Sequence, residues 1–541
     1  MLFLSLYVFK NMIQIYTIYR FNNLNKCKKV STNPNFTVKG VNFYVHEQFI
    51  LLIVMRKSTF SANFATHIKL IAIMKKLFVL VMLLMTVGHL SAQQAKYVFY
   101  FIGDGMGLNQ VNATEMYRAE MEGRIGIKPL LFPSFTVASY ANSHSSSNSI
   151  TDSAAGGTAL ATGTKTYNNA MGVDANKNAV ESFAEKAKKA GKRVGITTSV
   201  SIDHATPGSQ YAHEEHRSMY YEVASWLPKS NFDFFAGSGF LKTNKTYDGK
   251  DAPELFPIFE QAGYTLARGV NEYKAKRNSA QKMILMEKAD ADQASLRYAI
   301  DRQPGDLTLS EIVESAIDFL MKENAKKGFY LMVEGGKIDW ACHANDAATA
   351  IQELEDMDNA VKVAYEFYKK HPKETLIVIT ADHETGGFSL GRSSGGYTLN
   401  LKALSYQKQS IDVLSRYITD LRKEGKTTWE DVKALLGEKM GFWKELTITW
   451  EQEKKLRDCF EETFTRNRAK FDENMYSRSE QLATVAKEVM AEQAHLWWSS
   501  GSHTAAYVPV YAIGAGAQEF AHHMDNTEII RTVAKVSGVK W

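Results

Sequence analysis

Cysteine is scarce. The 541 residues carry three, Cys27, Cys342 and Cys459, which excludes a disulfide framework and a cysteine-built zinc module. Acid is missing from the start of the chain: residues 1–92 hold 11 Lys and Arg against a single acid, Glu47. The remainder then holds 53 basic and 58 acidic residues, a net of −5. A mildly acidic body argues against nucleic acid as a partner, because that role needs a basic patch. A membrane-length apolar run is also lacking where one would be looked for. The run in MKKLFVLVMLLMTVGHLSAQQ, from Met74, is shorter than the ~20 residues a span requires.

That segment reads instead as a cleaved secretory signal over residues 74–92. Two lysines precede the apolar run, and small residues close it at Ser91 and Ala92. No cysteine follows the cut, so no lipid anchor and no stable membrane anchor is expected. A signal belongs at a start codon, so Met74 reads as the true start and residues 1–73 as a non-native extension. The mature chain keeps Cys342 and Cys459, one disulfide at most. Export with so few cysteines suits a bacterial periplasmic or secreted enzyme with a large core.

Short apolar runs recur at Tyr97 to Ile102, Val194 to Val200, Phe329 to Val333, Thr375 to Thr380 and Val508 to Ile513. Helical patterns lie between them, such as Ala179 to Ala190 and Thr308 to Asn324. The alternation predicts an α/β fold around a largely parallel sheet covered on both faces. Ligands bind such sheets at the carboxyl ends of strands, and four of the five runs carry a polar cluster there. Residues of about 400–495 differ: they are rich in Lys, Glu and Arg, with Trp429, Trp443 and Trp450 among them. They read as a helical insertion, as a structural cap or as a substrate-gating or dimer-contact element.

Six clusters carry chemistry-bearing residues. Asp104 sits between glycines in FIGDGMG, a turn aspartate when read alone. Ser153 opens the small-residue stretch of TDSAAGGTAL behind Asp152. A helix beginning there would aim its free N–H groups at an anion. Ser153 reads as its capping residue or as a nucleophile. SIDHATPGSQYAHEEHR offers Asp203, His204, Thr206 and Arg217, and an arginine fork there would grip phosphate or lie on the surface. EGGKIDWACHAND holds Glu334, Asp339, Trp340 and His343. A helix from near Ile338 would set Asp339 and His343 one turn apart on one face. VITADHETGG adds Asp382 and His383, and SSGSHTAAYVPVYAIG adds His503 just ahead of an apolar run. Imidazole with carboxylate suits zinc, and an all-oxygen set suits magnesium.

In this order, IGDGMG, TDSAAGGTALATG, DHATP, EG…D…H, TADH and GSHT resemble the motif blocks of the alkaline phosphatase family, from about Lys96 to about Gly516. The resemblance implies a three-layer α/β/α sandwich for residues 93–541, with 400–495 as a divergent insertion. It implies two Zn2+ and one Mg2+ as cofactors, and hydrolysis of small phosphate monoesters to alcohol and inorganic phosphate through a phosphoserine on Ser153. Asp339, His343 and His503 would hold one zinc, Asp382, His383 and bridging Asp104 the other, and Thr206 and Glu334 would hold magnesium with Asp104. Arg217 would clamp two phosphate oxygens. Asp152, His204 and Trp340 would stand around these groups. Because Trp340 supplies no cation, product phosphate would be held more weakly than where Lys occupies that position. A homodimer is common in the family. A phosphodiesterase of the same superfamily and a non-catalytic phosphate- or metal-binding protein are the alternatives. Ser153 followed by Ala-Ala-Gly matches neither a sulfatase motif nor the G-x-S-x-G elbow.

Overall fold

The computed structural model describes residues 94–322, 325–473, 476 and 478–541, together with two short strands near the start of the chain. Its contacts divide the chain into Met1–Leu90 and Ser91–Trp541. In the first unit Phe36–Val38 pairs antiparallel with Val41–Phe43. The expected signal at 74–92, the cleavage point and the rest of residues 1–73 lie outside the described residues.

The second unit is built on ten strands: β1 (Tyr97–Ile102), β2 (Val137–Asn142), β3 (Arg193–Thr198), β4 (Phe234–Gly237), β5 (Tyr264–Arg268), β6 (Lys282–Met286), β7 (Phe329–Glu334), β8 (Thr375–Thr380), β9 (Val508–Gly514) and β10 (Met524–Asp525). They form one sheet in the order β10-β2-β9-β8-β1-β7-β3-β4-β6-β5. β9 alone among these ten runs against its neighbours, β8 and β2. Every residue of β1, β7 and β8 is buried. That is why these strands read as unbroken apolar runs: helices cover both faces, and no face alternates with water.

One helical layer comprises α1 (Leu108–Glu120), α3 (Leu309–Leu320) and α5 (Ala347–Lys370); α1 and α3 pack on α5, and α3 and α5 pack on the sheet. A second comprises α2 (Ser153–Thr162), the short helix Phe183–Lys189 and α10 (Asn526–Ser537). The helical pattern from Ala179 begins only at Phe183. Ser182 accepts from the Glu185 N–H and Glu185 accepts from the Ser182 N–H, and this capping box stops the helix from extending backwards. α3 starts the same way, at Thr308 with Glu311. Cys342 and Cys459 are both buried and free, so the one conceivable disulfide is not formed.

Residues 400–495 contain α6 (Ile411–Glu424), α7 (Trp429–Met440), α8 (Trp450–Phe460) and α9 (Gln481–Gln493). These helices share a hydrophobic core of their own, including Leu414, Ile418, Val432, Leu436, Leu456 and Val489, which also takes in Ala113 of α1 and Ile351 of α5. Between α8 and α9 a ribbon pairs Phe471–Glu473 with Arg478–Glu480. Among the described residues no helix is long and apolar enough to cross a membrane.

Candidate metal and phosphate site

Register brings the polar clusters level. Ile102 at the end of β1 faces Thr380 of β8 and Glu334 of β7, and Glu334 also faces Thr198 of β3. Asp104, Glu334 and Asp382 therefore emerge side by side at the carboxyl edge. His503 precedes its strand rather than following it, yet it arrives at the same edge because β9 is reversed. A two-residue pairing of Glu384–Thr385 with His503–Thr504 then fixes it beside His383, and the two imidazoles stack at 3.5 Å.

Asp339 and His343 lie on α4 (Lys337–His343), one turn apart, with His343 Nε2 3.4 Å from Asp339 Oδ2. His343 Nε2 is 3.0 Å from His503 Nε2. The opposite ring nitrogens explain this contact. His343 Nδ1 meets the Gly501 carbonyl at 2.7 Å and His503 Nδ1 meets the Thr151 carbonyl at 2.8 Å. A carbonyl only accepts, so each Nδ1 carries the proton and each Nε2 presents a lone pair. His383 follows the same logic. The Thr385 hydroxyl donates to Asp339 Oδ1 at 2.5 Å, so it accepts from His383 Nδ1 at 3.2 Å, leaving His383 Nε2 bare. Backbone and hydroxyl partners of this kind orient ligating histidines.

Asp104, Glu334, Asp339 and Asp382 have no solvent exposure, and each has a carboxylate oxygen without a hydrogen-bond donor. Burial raises the pKa of Asp104 and of Asp382, with neighbouring carboxylates adding to it. Burial likewise pushes Glu334 up to about 7, against the hydroxyl of Thr198. Burial works the same way on Asp339, but a proton taken up by His343 when no metal occupies its Nε2 outweighs it and holds Asp339 below the carboxylate range. Burial and the Arg217 charge bring His204 down to about 3, so its ring is neutral. Converging lone pairs and orphaned buried carboxylates are costly unless cations compensate them. Three groups meet that description: Asp339, His343 and His503; Asp104, Asp382 and His383; and Asp104, His204 and Glu334. The third includes an imidazole, whereas Thr206 reaches the site through a 3.5 Å contact from its hydroxyl to Asp104 Oδ2.

Ser153 is the first residue of α2, and the cap of that helix is Asp152, whose Oδ1 accepts from the Ala155 N–H at 3.0 Å. The capping reading of Ser153 therefore fails, and its hydroxyl is directed elsewhere, 3.1 Å from His383 Nε2. The small residues of TDSAAGGTAL make room for protein: a Cβ on Gly156 would stand 2.9 Å from the Asp382 carbonyl oxygen, and one on Gly157 would stand 3.3 Å from Thr206 Cα. Gly105 has φ +71°, and a Cβ there would meet Asp339 Cα at 2.8 Å, which accounts for the glycine after Asp104.

Arg217 is not a surface arginine; it is 4% exposed. Its Nη1 donates to Asp152 Oδ2 at 3.2 Å, and its Nη2 donates to the Tyr476 hydroxyl at 2.8 Å and to His204 Nε2 at 3.4 Å. Trp340 stacks on Tyr476 at 4.8 Å and 7°. Asp203 lies outward of this set, accepting from the Leu241 N–H. Tyr476, Thr385 and Thr198 were not singled out from the sequence. Thr385 stands inside the ADHETGG cluster and Thr198 at a strand end, and both were visible there. Tyr476 has no local signal at all.

The alkaline phosphatase family model matches residues 95–539. Alkaline phosphatase 4 of Bacillus subtilis is 33% identical over 450 residues, covering 82% of this chain and 89% of that protein. Alkaline phosphatase 3 of the same organism is 32% identical, covering 82% and 89%. The solved cold-active alkaline phosphatase of Shewanella superposes with a TM-score of 0.67 at 27% identity, covering 82% of this chain and 99% of that one. An enzyme from the Antarctic bacterium TAB5, in a His-to-Asp mutant with Mg bound in the M3 site, superposes at 0.58 with 27% identity, covering 83% and 99%. With the family model matched over residues 95–539 and relatives above 30% identity covered over most of their length, the chain belongs to the alkaline phosphatase family.

Proposed function

We propose that the protein hydrolyses phosphate monoesters, with Ser153 as nucleophile. The observation that carries this reading is the placement of the buried Ser153 hydroxyl between the ligand clusters and the Arg217 fork. Asp339, His343 and His503 would hold one zinc, and Asp104, Asp382 and His383 a second. Asp104, Glu334 and Thr206, with His204 close by, would hold a third ion. His204 Nε2 accepts from Arg217 in this arrangement, so the ring stands beside the third set rather than in it. When bound, these ions neutralise the reacting oxygens and acidify hydroxyl groups.

The chain's own residues do the rest. Ser153 is positioned by the start of α2, and its Oγ forms the bond to phosphorus as the ester oxygen leaves. The Ser153 hydroxyl lies 3.1 Å from His383 Nε2, the atom that would ligate the second zinc, so an ion held there would stand beside Oγ and acidify it, with the proton passing to solvent. Arg217 supplies planar N–H groups to two non-bridging oxygens, and Asp152 holds its orientation. A diester carries a substituent on one of those oxygens, so the fork favours the monoester over the phosphodiesterase alternative. Export by segment 74–92 and homodimer formation are further parts of this reading; export rests on the sequence and the dimer on the resemblance.

The test compares kcat/KM for an aryl phosphate monoester and the matching diester at alkaline pH, with and without chelation. A strong monoester preference that is lost with the metals is expected. A diester preference would keep the metal site and remove the role given to Arg217. No turnover of either would favour a binding protein.

A further inference from the structure

Among the described residues, Tyr476 of the insertion meets Arg217. Tyr476 lies between the paired strands Phe471–Glu473 and Arg478–Glu480. Its hydroxyl accepts from Arg217 Nη2 at 2.8 Å, shorter than the 3.2 Å contact from Nη1 to Asp152. The two terminal nitrogens of Arg217 are thus anchored from opposite sides, by the helix cap and by the insertion.

The tyrosine itself is held. One ring face lies on Trp340, nearly parallel at 4.8 Å. The rings of His343 and His204 stand across it at 5.1 and 5.7 Å. Trp340 is backed by the ammonium of Lys337, 4.6 Å from its ring centroid, which also sits 3.5 Å from the Tyr298 ring and donates to Ser295 Oγ at 2.9 Å. Lys337 is buried, so this cation–π column is desolvated, where such contacts are strongest. A guanidinium anchored by a neutral phenol keeps its full charge for phosphate. A second carboxylate in that place would offset it.

We propose that Tyr476 is a positioning residue for Arg217, through which the 400–495 insertion sets the grip on monoester oxygens. This rests on the phosphatase reading of the site. Tyr476→Phe removes the hydroxyl and keeps the ring stack. A hydrogen bond to a charged group lost in a buried setting predicts a fall of roughly tenfold in monoester kcat/KM. Diester kcat/KM should not follow, because a diester does not engage the full fork. In an Arg217→Ala background, Tyr476→Phe should add nothing.

Parallel loss of monoester and diester turnover, or a full further loss in the Arg217→Ala background, would overturn the proposal and leave Tyr476 as packing. Calorimetric titration of the metal-loaded chain with inorganic phosphate reads the same grip without turnover. Weaker binding in Tyr476→Phe by a similar factor is expected, and unchanged affinity would also overturn it. An inactive parent protein would sink the phosphatase reading, and the titration would still decide the role of Tyr476.

Discussion

Gly156 shows how a residue without a side chain can do site chemistry. It sits in α2 three residues after Ser153, where an alanine would favour the helix by about 1 kcal/mol. A Cβ there would press on the Asp382 carbonyl oxygen at 2.9 Å and on its Cβ at 3.1 Å. Gly156→Ala should therefore displace a candidate metal ligand rather than stabilise the protein. The expected outcome is lower metal content by elemental analysis together with lower kcat/KM. An alanine variant with full metal content and full activity would show that the segment yields freely. At this scale the sequence was informative about which residues matter and less so about their neighbours. Asp104, Ser153, His343, Asp382, His383 and His503 stand in short clusters whose spacing is readable. Whether Ser153 caps α2 stays open in the sequence, because Asp152 and Ser153 are both good caps and only the backbone distinguishes them. Tyr476 was invisible, because its relation to Arg217 crosses 259 positions of chain.

At the scale of elements, α2 and its cap form a unit that serves stability and chemistry together. Asp152 Oδ1 accepts from the N–H groups of Ala155 and Asn169, both at 3.0 Å, while Oδ2 pairs with Arg217. Asp152→Asn can keep the cap and lose the ion pair, whereas Asp152→Ala loses both. A missing cap costs about 1 kcal/mol. Melting temperature should therefore fall in the alanine variant and hold in the asparagine variant, while phosphate inhibition weakens in both. Equal melting temperatures for the two variants would show that Asp152 caps nothing of consequence. The strands divide along similar lines. β1, β3, β7, β8 and β9 were legible, because they are buried on both faces and read as apolar runs. β2 alternates between buried and exposed along VASYAN, β4 has four residues and β10 has two. Such short or half-wet strands carry little periodic signal, and their neighbours in the sheet decide them.

At the scale of the whole molecule, four buried carboxylates meet in one place with orphaned oxygens. Either cations or protons must offset them, and a metal bound to the native state would stabilise it by mass action, about 2.7 kcal/mol at a hundredfold excess over Kd. Chelation should then lower the unfolding temperature as well as abolish turnover, and Ser153→Ala should show the same chelation-induced drop although it has no nucleophile. An unfolding temperature indifferent to chelation would mean that the carboxylates are neutralised by protons instead. The layer architecture followed from alternating strand and helix patterns. The role of the insertion did not, because its own core and the contact of Tyr476 with Arg217 are properties of tertiary packing.

The reversed strand β9 has a consequence in time as well as in space. Asp104 emerges after the first strand of the sheet, while His503 is delivered by the ninth, and the pairing of Glu384–Thr385 with His503–Thr504 joins them late. During synthesis nearly 400 residues must follow Asp104 before the histidine beside His383 exists. Until then Asp339 and His343 lack their third candidate ligand, while Asp104, Asp382 and His383 are already made. The His503 cluster would therefore become complete only when the reversed strand β9 has docked.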